Sequence, residues 1–188
     1  MKRSISLLTV LAFVLAFSGS VYGQAIPTKA NVIQDVNYAK QTDLNFGTFD
    51  ASFSNSATID PQGTNDSGVN GSRGTDYNAG KVYISGASNQ TVTVSLDNSS
   101  IQLNPDGFSS SDYFTLNSIT MSHTTGQDGS NGGGNELTTT NNTANLDASG
   151  DATVWVGGTL TPTDNGDGMD TGSYVNNADL TLTIDYAY

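Results

Sequence analysis

The chain has 188 residues, no cysteine, and 18 acidic against six basic side chains, for a formal charge of −12. That length fits one domain able to bury its own core without metal or disulfide staples. Lack of cysteine excludes disulfides, thiolate metal sites, a cysteine nucleophile and lipid attachment through an N-terminal cysteine, and so acidic a surface repels nucleic acid and anionic lipid.

Met1 to Ala25 reads as a secretory signal peptide. Lys2 and Arg3 form its positive start, Ile5 to Phe17 is apolar apart from Ser6 and Thr9, and Ser18, Gly19, Ser20 and Gly23 are small. Cleavage is expected after Gly23, giving a signal segment at 1–23 and a single domain at 24–188; cleavage after Ala25 is the alternative. The apolar run of about 13 residues falls short of the roughly 20 needed to cross a bilayer as a helix. No second such run follows, so no integral span is expected after cleavage. The mature chain would keep Lys29, Lys40, Arg73 and Lys81 against 18 acids, a formal charge of −14, and Glu136 is its one glutamate.

From there the periodicity is that of strands. Asn31 to Tyr38 supplies a first strand with imperfect alternation. Leu44, Phe46 and Phe49 are core candidates around a turn or bulge at Gly47. Residues 54–80 are mostly Asn, Asp, Ser and Gly, a long excursion with one weak strand near Ala57–Ile59. Lys81–Ser85 and Gln90–Leu96 alternate cleanly across a loop of about four residues, which predicts a β-hairpin. Ile101–Leu103 is a short strand before the turn signal Pro105-Asp106-Gly107. In Tyr113–Met121 the parity slips near Asn117–Ser118, which predicts a bulge. After the glycine-rich stretch 126–134 come a weak strand at Leu137–Thr140 and a turn anchored by Leu146. Ala152–Leu160 then faces Val154, Val156 and Leu160 inward. In the closing segment Leu180, Leu182, Ile184, Tyr186 and Tyr188 share one parity, and Thr181, Thr183, Asp185 and Ala187 the other. No stretch of 24–188 sustains a helical period. Many short strands between Gly/Asn/Asp turns predict an all-β antiparallel sandwich, with jelly-roll or barrel closure as the alternative.

Leu44-Asn45-Phe46-Gly47, Leu146-Asp147-Ala148-Ser149-Gly150, Val156-Gly157-Gly158-Thr159-Leu160 and a Gly-x-Tyr at 172–174 ahead of the closing strand carry a family resemblance. The chain resembles, over roughly 30–188, uncharacterised secreted bacterial domains related to Mat/Ecp-type fimbrial major subunits. The family's Gly-x-Tyr-x-Gly stands here as Gly172-Ser173-Tyr174-Val175-Asn176; asparagine tolerates the left-handed backbone next best after glycine, so the turn survives the change. The resemblance implies an Ig-like sandwich, a place in surface fibres, like subunits or other surface proteins as partners, and an export chaperone. It implies no catalytic residues. In such subunits an N-terminal extension completes a neighbour's sheet by main-chain pairing. The donor here would be Ala30 to Tyr38, with Val32, Ile33, Val36 and Tyr38 entering the acceptor and Tyr186 and Tyr188 at the closing strand. The alternative is that this strand pairs inside its own domain.

Other chemistry is thinly represented. The one histidine, His123, would be the base of any triad, but no orienting partner is recognisable. No two of the many aspartates stand out as a glycosidase pair. Trp155 is either a sugar-stacking platform or a packed sandwich residue. Asp164–Asp170 has oxygens enough for calcium but lacks the order of an EF-hand loop. Gly132–Gly134 lacks the Lys-Ser/Thr that follows a phosphate-cradling loop. The expectation is therefore a secreted, extracellular or surface-held, non-catalytic structural or adhesive subunit without cofactor, exported through a periplasm; the alternative is a monomeric binding module for glycan or calcium.

Overall fold

A computed structural model describes residues 34–63, 66–68, 77–127, 134–138, 142–176 and 180–187. Eleven strands lie among them, and no helix: β1 (Asn37–Thr42), β2 (Ala57–Ile59), β3 (Gly80–Ser85), β4 (Thr91–Leu96), β5 (Ile101–Asp106), β6 (Tyr113–Thr125), β7 (Asn135–Leu137), β8 (Thr143–Asn145), β9 (Asp151–Thr163), β10 (Ser173–Val175) and β11 (Leu182–Tyr186). All pairings are antiparallel. The larger sheet runs β1-β3-β9-β6-β5-β10, with β2 beside β9 and β7 beside β6; the smaller runs β11-β4-β8. The result is the antiparallel β-sandwich that the alternating pattern predicts.

At its centre lies β9, thirteen residues long, paired with β6 on one side and with β3 and then β2 on the other. Ala152 to Gly158 are buried without a break, the pattern of a strand covered on both faces. Between the sheets, Ile84, Ala152, Val154 and Val156 of the large sheet meet Val92, Val94, Ala144 and Ile184 of the small one. A second core forms around Phe114, Leu116, Leu160, Ile59 and Trp155. Phe46 and Met169 join it from loops, with Phe49 stacked on Phe53 at 4.2 Å between ring centres and Phe114 edge-on to Tyr174 at 5.1 Å.

The bulge at Asn117–Ser118 is where the parity slip puts it. The β6–β9 register shifts between Asn117 and Thr120, and Ser118 has φ +47°. By inserting one residue, the bulge keeps Leu116 and Met121 on one face although their numbers differ in parity. β2 stands at Ala57–Ile59 as expected.

Four expectations need correcting. β3 and β4 are not a hairpin, because β3 pairs with β1 and β9 whereas β4 pairs with β11 and β8 in the other sheet. The connection is an arch. Gly86 donates to Gly150 O at 2.8 Å and Asn89, at φ +57°, donates to Asp147 O at 2.9 Å. Alternation marks which side chains are buried but not whether the next strand lies beside or opposite. The first strand is Asn37–Thr42 rather than Asn31–Tyr38; residues 31–33 lie outside the described set. The weak strand predicted at Leu137–Thr140 is β7, Asn135–Leu137, with 139–140 outside the described residues. Pro105 sits inside β5, opposite Tyr174, and the turn follows at Gly107. Strands β8 and β10, three residues each, leave too short a trace for periodicity to register.

The motif glycines are explained by space. A Cβ on Gly150 would lie 2.1 Å from Gly86 O, and one on Gly157 would lie 2.2 Å from Ile59 O, where β2 closes on β9. Asp147 completes the 146–150 arch by accepting from Ser149 N and Asp151 N, both at 2.8 Å. Gly150 and Gly107 both have positive φ, yet only the first is crowded. Alanine at Gly107 should therefore cost about 1–2 kcal/mol for the left-handed backbone alone, and alanine at Gly150 clearly more. Urea unfolding of the two variants side by side measures the difference.

Candidate assembly edge

Two strand edges face the same side of the sandwich. The arches β3–β4 and β8–β9 join the two sheets, and the hydroxyl of Tyr186 on β11 bonds Gln34 O just ahead of β1. β1 lies at the margin of the large sheet and β11 at that of the small one.

Every residue of β1 is exposed. Its hold on β3 is the main-chain ladder, with Asn37 opposite Ser85, Tyr38 opposite Ile84 and a register break between Lys40 and Thr42. Lys40 pairs with Asp43 beyond that break. Tyr38, 56% exposed, is the one large apolar side chain open to solvent among the described residues. β11 differs, since Ile184 is buried, Leu182 and Tyr186 are half-buried, and all three pack on the inter-sheet core.

Of the residues predicted for assembly, Val36 and Tyr186 pack on the same inter-sheet core, and Tyr38 is exposed on β1 opposite Ile84. The Tyr186 hydroxyl donates to Gln34 O at 2.6 Å and accepts from Ala87 N at 2.7 Å, so one phenol ties the segment before β1 to the loop after β3. Gly86 makes room for it, because a Cβ there would lie 2.5 Å from the Tyr186 oxygen. Val32, Ile33 and Tyr188 lie outside the described residues. Asn37 and Tyr38 pair with β3 of their own domain, the alternative to donation. The Tyr186 bridge had no signal in the sequence beyond its place at the end of an alternating strand.

At its other end β11 is fixed by Asp97, which accepts from Thr181 N at 2.7 Å and donates its own N–H to Thr181 O at 3.1 Å. The Thr181 N–H holds the Asp97 carboxyl below its usual value.

The remaining candidates are placed as follows. Trp155 is buried in the second core with Lys81 Nζ 4.8 Å from its ring centre, so it offers no open stacking face. Its indole N–H finds no hydrogen-bond partner among the described residues. In the 164–170 loop Asp164 Oδ1 accepts from Gly166 N and Asp112 Oδ2 accepts from Asp170 N. No group of three acidic or histidine side chains suited to a metal occurs among the described residues. A cleft of about 300 Å³ opens between β2, the β6 bulge and β7, lined by Asp60, Ser118, Thr120, Glu136 and Thr159, with no aromatic wall. His123 is buried on β6, and residues 132–133 of the glycine stretch lie outside the described set.

Two outcomes follow. Tyr186→Phe removes both hydroxyl bonds and should cost about 1–2 kcal/mol, with faster amide exchange at 34–42 as the local readout. Burial pushes His123 below its ordinary value of 6.5, against the opposing pull of the Asn135 backbone. A depressed histidine keeps the folded state neutral where the unfolded chain takes up a proton. Stability is then complete above pH 6.5 and declines as the pH falls through that value towards the folded pKa. Melting temperatures recorded down the acid side should fall more steeply for the wild type than for His123→Gln.

No curated protein and no solved structure matches the chain. A family model does, over residues 36–186, from the strand-leading Val36 to the bridging Tyr186. The chain belongs to the family described as Domain of unknown function (DUF4402).

Proposed function

We propose that this protein is a secreted, non-catalytic structural or adhesive subunit of the cell surface, akin to a fimbrial subunit, and that it assembles with like subunits by β-strand addition. What supports the reading is the way β1 is held. All six of its side chains are exposed and its attachment to β3 is a main-chain ladder, joined by Thr42 Oγ1 donating to Ala79 O just before β3. A strand bound in that manner pairs equally well with β3 of another copy, since none of its own six side chains is buried. Its departure uncovers a row of unpaired backbone groups on β3, which the next copy's strand satisfies. Val36 and the Tyr186–Gln34 bond are the anchors that exchange must loosen.

The segment ahead of β1 suits the donor role, with Ile26, Val32, Ile33 and Val36 as apolar positions and Lys29 as a cation entering an acidic partner. Export by a signal peptide delivers the subunit to a surface where a chain without cysteine depends on its sheets alone for cohesion.

The test uses two chains, 24–188 and 43–188. The longer should form high-mass species in size-exclusion chromatography with light scattering. The shorter should form nothing larger than a dimer, with an unchanged β-sheet circular dichroism spectrum, and should bind a synthetic 24–42 peptide. A longer chain that remains monomeric at high concentration, or a shorter chain that assembles as readily, overturns the reading.

A further inference from the structure

Among the described residues the strand order ends at β1, β10, β8 and β11, with three-residue β2 and β7 as side branches, and all but β11 carry devices that discourage further pairing. β1 is broken by its register shift and carries Lys40; β10 and β8 are three residues long, and β10 lies against the proline-bearing β5. Short strands, bulges, lysine and proline are the means by which proteins blunt a sheet edge. β11 has none of them. It runs five residues in unbroken register with β4, without proline, glycine or lysine.

The hydrogen bonds fix which of its groups face outward. Ala187 N donates to Thr91 O at 2.9 Å and Asp97 N to Thr181 O at 3.1 Å, both in the same register as the β11–β4 pairs. In an antiparallel pair the bonded residues alternate, so Thr181, Thr183, Asp185 and Ala187 bond to β4. The N–H and C=O groups of Leu182, Ile184 and Tyr186 point the other way, where no strand pairs with them among the described residues.

We propose that this edge pairs antiparallel with β11 of a second copy, about a two-fold axis at Ile184. Centred there, Leu182 bonds opposite the partner's Tyr186 and Ile184 opposite its own counterpart, so apolar side chains continue both inter-sheet cores. On the outer face Thr183 falls opposite the partner's Asp185. The one acid of the strand thus meets a hydroxyl, and no like charges stand directly opposed, which is the condition a chain with 18 acids has to meet. The two small sheets become one of six strands. This contact is independent of β1 exchange: it uses the other sheet and leaves the N-terminal strand where it is.

The register makes a prediction of opposite signs at one exposed position. Thr183→Asp sets a carboxylate against the partner's Asp185 twice per dimer and should weaken self-association roughly tenfold in sedimentation equilibrium. Thr183→Lys should strengthen it by a similar factor, and both effects should shrink in high salt. Were the occupant instead a segment carrying Lys29, the signs would reverse. In the same register residues 183 and 185 form a non-bonded pair close enough for a disulfide. Mixing Thr183→Cys with Asp185→Cys protein should therefore give a crosslinked heterodimer in a chain that has no other thiol. All of these measurements use residues 24–188, and because β1 exchange pairs with β3 and not β11, the sign of the charge effect and the 183–185 crosslink report this contact alone. Reversed or absent charge effects, or no crosslink under oxidation, overturn the proposal.

Discussion

Every backbone polar group in a sheet needs a partner, and that requirement organises this molecule from β9 outward. β9 is paired along most of its length on both sides, with β6 along one and β3 then β2 along the other as far as Leu160. Burial of its whole middle follows, since nothing is left to hydrate. Gly157 lies where β9 passes under β2, with a Cβ there only 2.2 Å from Ile59 O, and Gly158 lies tightly against the β6 bulge, where a Cβ would be 3.1 Å from Asn117 O. Each step away from β9 leaves the pairing less complete, until the margins are reached. There the protein either blunts the edge or leaves it open.

This gradient gives a structural reading to the stretches that carried the sequence resemblance. The 146–150 stretch is an arch between sheets, held by Asp147 and by the absence of a Cβ at Gly150. The 156–160 stretch is the crowded centre of β9. Phe46 is buried in the second core, and Tyr174 packs edge-on to Phe114. These residues build the shell, and none of them gathers around a reactive group. Surface chemistry is left to the edges and to the shallow polar cleft by the β6 bulge.

Much of the shell was legible from alternation alone: the all-β class, β2 to within a residue, the bulge at Ser118, and the inward parity of Val154, Val156, Leu182, Ile184 and Tyr186. Neighbour relations were not. Val82 and Ile84 alternate in the same way whether Val92 and Val94 lie beside them or across the core, so the expected hairpin became an arch. Three-residue strands such as β8 and β10 carry no period to detect. At the candidate assembly edge β11 could be read from the sequence, whereas only Asn37 and Tyr38 of β1 fell within the predicted first strand. The phenol bridge from Tyr186 to Gln34 and Ala87 depends on three segments distant in the chain, and so does the contrast between guarded and unguarded margins.

Open edges acting as contacts is the idea on which the account rests, and amide hydrogen exchange reads it directly. As protein concentration rises, the outward amides of Leu182, Ile184 and Tyr186 should become progressively protected, while those of Thr183 and Asp185, already bonded to β4, should change little. Outward amides that exchange at the same fast rate from the lowest concentration to the highest would contradict it.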